Sequence, residues 1–166
     1  MPSHLIDPFE FCKNNEMLEG CTPVSETERL LSVCTDTSGE LVWKVSGSLN
    51  VHQQPELLLD VAGQVSLMCQ RCLEPFVFDL RSETTVMVAK TEEEADEMEE
   101  ALSDEDAVEV IVAEGKIDVM DLVEDEALLA LPLSPRHEVC PEASVKEWKE
   151  KRESPFSALK GLKNKQ

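Results

Sequence analysis

The residues with the clearest capacity for chemistry are thiols and an imidazole in two short segments. Cys69 and Cys72 are separated by two residues, and His137 and Cys140 have the same spacing, with His137 65 residues beyond Cys72. A two-residue gap lets both side chains of a tight turn reach one metal ion, and tetrahedral zinc accepts thiolates and imidazole at about 2.0–2.3 Å. The pattern therefore predicts one zinc ion bound by these four residues.

Two other interpretations of the paired cysteines remain open at this level. Cys69 ends an apolar strand pattern, so it can be a packed thiol while Cys72 is a surface thiol. A redox dithiol is the third interpretation, although motifs of the thioredoxin type lie where a strand meets a helix, and this pair joins two strands. Cys12, Cys21 and Cys34 have no paired spacing and are predicted to be buried or free thiols.

Carboxylates on a predicted helix near residue 120 are the next candidates for chemistry. Spacings of three and four residues bring several of them to one helical face, where they could hold a metal or act as a general acid. A solvated face opposite the apolar side is the more common arrangement, and we expect it here. The carboxylates are Asp118, Asp121, Glu124, Asp125 and Glu126.

Motifs of the common enzyme classes are absent from the sequence. There is no Walker loop, GxGxxG, GxSxG or HExxH, and the chain contains no tyrosine. These motifs serve phosphate binding, nucleophilic catalysis and zinc-dependent hydrolysis. Because the sequence lacks them, we predict a non-enzymatic protein with no small-molecule substrate.

Basic side chains that could contact RNA lie mostly at the C-terminus. Residues 146–166 contain seven Lys and Arg and three Glu. Lysine and arginine contacts with phosphate supply most non-specific affinity for nucleic acid, although a solvated terminal helix would have the same composition. The candidate RNA contacts are Arg71, Arg136, Lys146, Lys149, Lys151, Arg152, Lys160, Lys163 and Lys165.

The net charge of −20 is concentrated in one part of the chain. Residues 92–126 contain 17 acidic residues and one base, Lys116, a net charge of −16. Residues 91–107 are so charged, and so poor in apolar side chains, that we predict a mobile loop. This concentration of negative charge suggests an alternative function, in which the protein is an adaptor whose acidic loop docks on a basic partner.

Length and composition favour one domain. The chain has 166 residues, of which 42% are hydrophobic and 30% charged. No apolar run approaches the roughly 18–20 residues of a membrane-spanning helix, and the N-terminus lacks the pattern of a secretory signal, so we expect a cytoplasmic protein that does not bind membranes.

Alternating apolar and polar residues predict an α+β fold built on an antiparallel meander or a barrel-like core. Residues 57–69 and 76–88 predict a hairpin, because the connection between them is too short for a parallel crossover. Further strands are predicted at 29–35, 41–49 and 108–112, and a packed C-terminal helix at 118–131.

We divide this single domain of residues 1–166 into segments with irregular termini. The first 27 residues are predicted to be a docking arm or a short helix. The other segments are a β core at 28–90, an acidic mobile loop at 91–107, a strand, helix and cysteine loop at 108–141, and a basic tail at 142–166.

Three segments, in this order and spacing, resemble the YceD family of large ribosomal RNA subunit accumulation proteins. They are residues 69–76 (Cys-Gln-Arg-Cys-Leu-Glu-Pro-Phe), residues 123–133 followed by His137 and Cys140, and residues 154–163. Residues 5–8 are similar to the start of the family's sequences. The resemblance therefore covers almost the whole chain.

This resemblance implies a small bacterial protein that acts in ribosome biogenesis and is needed for normal accumulation of large-subunit (23S) ribosomal RNA. It implies precursor large-subunit RNA or a ribosomal protein as the partner. The resemblance also implies that Cys69, Cys72 and Cys140 match cysteines of the family. Around the position of Cys140 some family members have what resembles a second CxxC, whereas this chain has a single cysteine there. A CxxC thiol oxidoreductase is the remaining alternative function.

Overall fold

A five-stranded sheet and a separate two-stranded pair organise the protein, whose computed structural model describes residues 4–102 and 108–141. The small pair is antiparallel and consists of β1 (Leu5–Ile6) and β7 (Ile117–Asp118). The large sheet contains, in spatial order, β2 (Met17–Pro23), β3 (Glu40–Leu49), β4 (Pro55–Met68), β5 (Pro75–Ala89) and β6 (Val108–Val112). The helices are α1 (Pro8–Lys13), α2 (Glu28–Leu31), α3 (Glu92–Ala101) and α4 (Val119–Leu129), and a 3-10 turn covers Val24–Glu26.

Strands β2 to β5 form an antiparallel meander, and β6 is parallel to β5. The predicted hairpin is confirmed, because Cα partners run from Glu56 with Met87 to Met68 with Pro75. The α+β class is also confirmed. Over the described ranges the sheet is open, with β2 and β6 at its two edges, so the architecture is the meander and not the barrel.

One face of the large sheet forms the hydrophobic core. Alternate residues of the central strands are buried there, such as Leu41 and Val45 of β3 and Leu59 of β4. Helix α1 crosses this face so closely that a Cβ added to Gly47 would lie 2.6 Å from Cδ1 of Phe11. Glycine at this position therefore permits the contact between helix and sheet.

Helix α4 closes the core and confirms the predicted C-terminal helix. The side chain of Asp118 accepts a hydrogen bond from the Met120 backbone N–H at 3.0 Å, which caps the N-terminus. Val119, Val123 and Ala127 repeat at intervals of four and are fully buried. This spacing places their side chains on one face of the helix.

The predicted strand at residues 29–35 is wrong. Helix α2 covers Glu28–Leu31 instead, with Leu30 fully buried in the core. The Leu30 backbone N–H donates to the Glu124 carboxylate at 2.9 Å, a tertiary contact that local periodicity does not reveal.

The first 27 residues are more regular than the sequence indicates. The predicted short helix is present as α1, capped by the Asp7 side chain, which accepts from the backbone N–H groups of Phe9 and Glu10. Residues Met17–Pro23 form the edge strand β2 and are not an irregular arm. This strand alternates too, with Leu18, Gly20 and Thr22 less exposed than their neighbours.

The prediction of a mobile loop across 91–107 is wrong for its first part, because α3 occupies Glu92–Ala101. Thr91 and Glu94 form a variant of the capping box, in which Thr91 Oγ1 accepts from the Glu94 N–H and the Glu94 carboxylate accepts from the N–H of Lys90, the residue before the N-cap. Ala95 and Met98 are buried against the sheet. Burial of two apolar residues on one face and acidic residues in the first turn both stabilise this short helix. Residues 103–107 lie outside the described ranges.

The expectation of a solvated carboxylate face on α4 is wrong for Glu124 and Glu126, which are both buried. Glu124 accepts from Nε of Arg29 at 3.2 Å as well as from the Leu30 backbone, and Glu126 accepts from the Ser82 hydroxyl. The carboxylates of Asp121 and Asp125 are exposed, as expected. Glu124 therefore joins α4 to α2 through these contacts.

No helix within residues 4–102 and 108–141 is long and apolar enough to cross a membrane.

Candidate metal centre

The turn between β4 and β5 presents the first two candidate ligands. Backbone hydrogen bonds close it, from Cys69 N–H to the Glu74 carbonyl at 3.0 Å and from Leu73 N–H to the Cys69 carbonyl at 2.9 Å. Leu73 has a φ of 61°, in the left-handed region. That conformation costs a residue with a Cβ about 1–2 kcal/mol, and it lets the chain reverse direction directly after Cys72.

The segment that follows α4 lies against this turn and supplies the other two ligands. The Gln70 N–H donates to the Pro135 carbonyl at 2.9 Å, and the Ser134 hydroxyl donates to Oε1 of Gln70 at 3.0 Å. These contacts hold a segment without regular secondary structure next to the hairpin. His137 and Cys140, distant in sequence, are therefore adjacent to Cys69 and Cys72.

The four predicted ligands converge on one point. One donor atom from each of Cys69, Cys72, His137 and Cys140 lies within 4.8 Å of all the others. The Sγ atoms of Cys69 and Cys140 are 3.8 Å apart, and Cys72 Sγ is 3.3 Å from Nδ1 of His137. A tetrahedral zinc ion with bonds of about 2.3 Å to sulfur separates two ligand sulfurs by about 3.8 Å. The cluster could therefore bind a metal ion of this size.

Burial distinguishes this cluster from surface thiols. Cys69 is fully buried and Cys72 is 4% exposed, so the interpretation of Cys72 as a surface thiol is wrong. Phe76 packs beside the three cysteines, and its ring centroid lies 5.0 Å from that of His137. The described residues contain no other group of three or more histidine, cysteine and acidic side chains with this geometry.

The surroundings of Cys69 favour its thiolate. Burial by itself raises the pKa of this thiol, but backbone hydrogen bonds, first from Cys72 and then from His137, outweigh burial and lower the pKa to about 5. The pKa of Cys72 is raised, chiefly by burial. Metal ligands bind as thiolates, so the lowered pKa of Cys69 favours the form that a cation requires.

Arg71 connects the two halves of the cluster, a role that sequence analysis misses. Its Nε donates to Cys140 Sγ at 3.0 Å, and its Nη2 donates to the His137 carbonyl at 3.3 Å. The hydrogen bond to Cys140 is the main reason that the pKa of Arg71 is raised. The only sequence feature that could have indicated this contact is the position of a basic residue between two cysteines. From the sequence alone, Arg71 is predicted only as an RNA contact.

The predicted RNA contacts fall into two groups. Arg71 and Arg136 are exposed and lie on the turn and on the segment after α4, beside the cysteine cluster. The other candidates lie outside the described residues; they are Lys146, Lys149, Lys151, Arg152, Lys160, Lys163 and Lys165. The remaining cysteines are free thiols, as predicted: Cys12 is buried, Cys34 is half-buried and Cys21 is exposed.

Comparison with known proteins identifies the family. Residues 57–163 match the profile of the family described as large ribosomal RNA subunit accumulation protein YceD. This chain belongs to the YceD family. A relative with that name from Haemophilus influenzae is 29% identical over 173 residues, which cover 96% of this chain and 95% of the relative. No solved structure matches the chain.

The family match includes the whole candidate metal centre. All four converging residues fall inside residues 57–163, and so do the predicted RNA contacts apart from Lys165. The resemblance seen in three sequence segments is thus confirmed by a match that extends through the cysteine cluster.

Proposed function

We propose that this protein is a non-enzymatic factor that promotes accumulation of the large-subunit (23S) ribosomal RNA in a bacterial cytoplasm. The observation that carries the proposal is similarity along nearly the full length of a relative named large ribosomal RNA subunit accumulation protein YceD. The compact cysteine cluster supports a binding role, because a zinc site with four protein ligands is closed and has no open position for substrate.

The direct test is loss of the gene in the protein's own host. Deletion should lower the amount of 23S relative to 16S ribosomal RNA and reduce 50S particles in sedimentation profiles. The full chain supplied from a plasmid should restore both. An unchanged ratio of the two RNAs in the deletion strain would contradict the proposed function.

We propose precursor large-subunit RNA as the partner, contacted by Arg71, Arg136 and the basic residues of 146–166. Contacts with phosphate release counterions, so affinity should fall steeply between roughly 50 and 200 mM salt. Crosslinking in cells followed by sequencing should recover 23S precursor segments. Recovery of ribosomal proteins without RNA would contradict direct RNA contact.

A ribosomal protein is the second candidate partner, favoured by the acidic helix α3. Six acidic side chains of this helix are exposed, and no basic residue lies in its last turn. Reversing the charge of two of them, in Asp96→Lys and Glu97→Lys, should weaken association with precursor particles only if a basic protein docks there. Unchanged association would exclude α3 as the docking site of such a protein.

We propose that Cys69, Cys72, His137 and Cys140 bind one structural zinc ion. The support is the 3.8 Å separation of two sulfurs, the burial of all three thiols and the thiolate character of Cys69. Such an ion would join the segment after α4 to the hairpin and hold Arg71 and Arg136 in position.

Elemental analysis of the full chain, purified without chelator, should find about one zinc ion per chain. Cys72→Ser should lose most of it, and the matched variant Cys34→Ser, which changes a half-buried thiol outside the cluster, should retain it. Less than about a tenth of an equivalent, together with a melting temperature that zinc does not change, would contradict zinc binding and favour packed thiols.

A further inference from the structure

The two faces of the large sheet are covered very differently. One face packs against α1, α2 and α4, whereas on the opposite face the described residues provide only α3, which packs against Met87, Ala89 and β6 at one side. We give the name outer face to a central group of residues on that opposite surface. It consists of Glu19, Cys21, Glu40, Val42, Lys44, Leu58, Asp60, Ala62, Gln64, Asp79, Arg81 and Glu83.

Apolar side chains occupy the middle of the outer face. Val42 is 54% exposed and Leu58 is 41% exposed. Two shallow depressions, of about 720 and about 520 Å³, meet at Val42, Ala62 and Arg81. The outer face therefore offers apolar contacts to an additional segment, as the neighbouring part of the same surface does to α3.

The charges of the outer face specify a basic occupant. It has five carboxylates and two basic side chains, and its net charge is −3. Asp60 and Glu83 are direct cross-strand partners, an arrangement of like charges that destabilises a sheet. Within the described residues every salt bridge involves Arg29, so no base lies within salt-bridge distance of either carboxylate there, although Lys44 of β3 is the cross-strand neighbour of Asp60.

We propose that residues 154–166 of this chain dock on the outer face. This segment contains three lysines, Lys160, Lys163 and Lys165, and no acidic residue. Phe156, Leu159 and Leu162 supply apolar side chains at intervals of three. The segment thus carries apolar side chains that could cover Val42 and positive charge that would offset the net negative charge around Asp60 and Glu83.

The connection is long enough for this contact. Cys140 lies beside Cys69 at the end of β4, so the tail starts from that end of the sheet. Ala62, in the middle of the outer face, is seven residues from Cys69, about 23 Å along the strand. Residues 142–155 span up to about 46 Å when extended. Phe156 can therefore reach the depression from its own chain.

The experiment measures cleavage by chymotrypsin after Phe156 in the full-length protein without RNA. A docked segment is cleaved only when it opens, so the rate reports the open population. Cleavage after Phe156 should be at least about tenfold slower than in a synthetic peptide of residues 146–166. The double variant Asp60→Lys, Glu83→Lys should accelerate cleavage at least about fivefold.

Matched controls separate docking from general effects. Glu99→Lys combined with Glu100→Lys makes the same change in net charge on exposed residues of α3, and the rate at Phe156 should stay within about twofold of the wild-type rate. Trp148 lies before the docking segment, and cleavage there should be the same in every variant.

A complementary variant keeps the test informative even if substitutions in the sheet impair folding. Lys160→Glu with Lys163→Glu changes only the tail and should also accelerate cleavage at Phe156. Combining it with the Asp60→Lys, Glu83→Lys pair should restore protection, because the charges are exchanged across the contact.

Three results would overturn the proposal. They are cleavage of the wild-type tail as fast as the free peptide, equal rates in all charge variants, and protection that disappears on dilution, which would place the tail on a second copy. The same tail is proposed above to contact RNA. Because the assay uses free protein, its outcome is independent of the RNA measurements that test the proposed function.

Discussion

The middle and the cysteine end of the β4–β5 hairpin are built from the same two strands and are held together by different forces. In the middle, residues such as Leu59 and Val61 alternate into a core covered by helices. At the end, Cys69 and Cys72 face a segment without regular structure and pack mainly with one another, Cys140 and Phe76. The middle is stabilised by apolar burial, whereas the end brings together groups suited to a bound ion.

The contact between α2 and α4 combines features of both regions, because it is buried like the core and polar like the cysteine end. Glu124 is a buried carboxylate, yet the Leu30 N–H and the Arg29 guanidinium satisfy it without an added ion. A buried charge that has hydrogen bonds and a partner can be tolerated in a core. The comparison shows that the chain itself satisfies this buried carboxylate, whereas the three thiols and the imidazole form a group that could bind a metal ion.

The largest effect is expected in the core. Leu59→Ala should lower the free energy of unfolding by about 3 kcal/mol, because it removes a side chain that is 1% exposed and leaves a cavity. Its neighbour Leu58 points to the outer face, so Leu58→Ala should cost less than about 1 kcal/mol. Urea denaturation measures both. Equal losses would show that the outer face is as well packed as the core.

An intermediate effect is expected at the polar contact. Glu124→Ala should cost about 2 kcal/mol, because the buried Leu30 N–H loses its acceptor and Arg29 loses a partner. Asp125 also pairs with Arg29 but is exposed, so Asp125→Ala should cost less than about 1 kcal/mol. The same denaturation assay compares them. If Asp125→Ala lowered the free energy of unfolding more than Glu124→Ala, the exposed pair of Arg29 and Asp125 would be the stabilising interaction.

Arg71→Ala is expected to have the smallest effect on the stability of the fold. Its specific effect should be on zinc binding at the candidate metal centre. The variant loses the hydrogen bonds to Cys140 Sγ and the His137 carbonyl, and zinc affinity should fall about tenfold. Competition with a chromophoric chelator measures this affinity. Arg136→Ala removes the other exposed basic residue beside the cluster, on the segment after α4; this control variant should bind zinc as tightly as the wild type. Indistinguishable affinities for both variants would remove Arg71 from the metal centre.

Much of the fold could be predicted because its signals are local. The hairpin alternates over most of both strands, and α4 combines an Asp cap with apolar residues at intervals of four. Helices α2 and α3 escape prediction for two different reasons. Helix α3 has a local capping box that the high charge obscures, whereas the four residues of α2 are held in part by Glu124, 94 residues away from Leu30.

The sequence by itself determined the α+β class, the hairpin, the family resemblance and the four candidate ligands, because periodicity, residue type and spacing are properties of the chain. Only the tertiary structure decided that His137 and Cys140 lie beside Cys69 and Cys72. The tertiary structure also decided that Arg71 donates to Cys140 and that Glu124 is buried. These outcomes depend on contacts between residues more than 60 positions apart, and such contacts are set by how the helices and strands pack together.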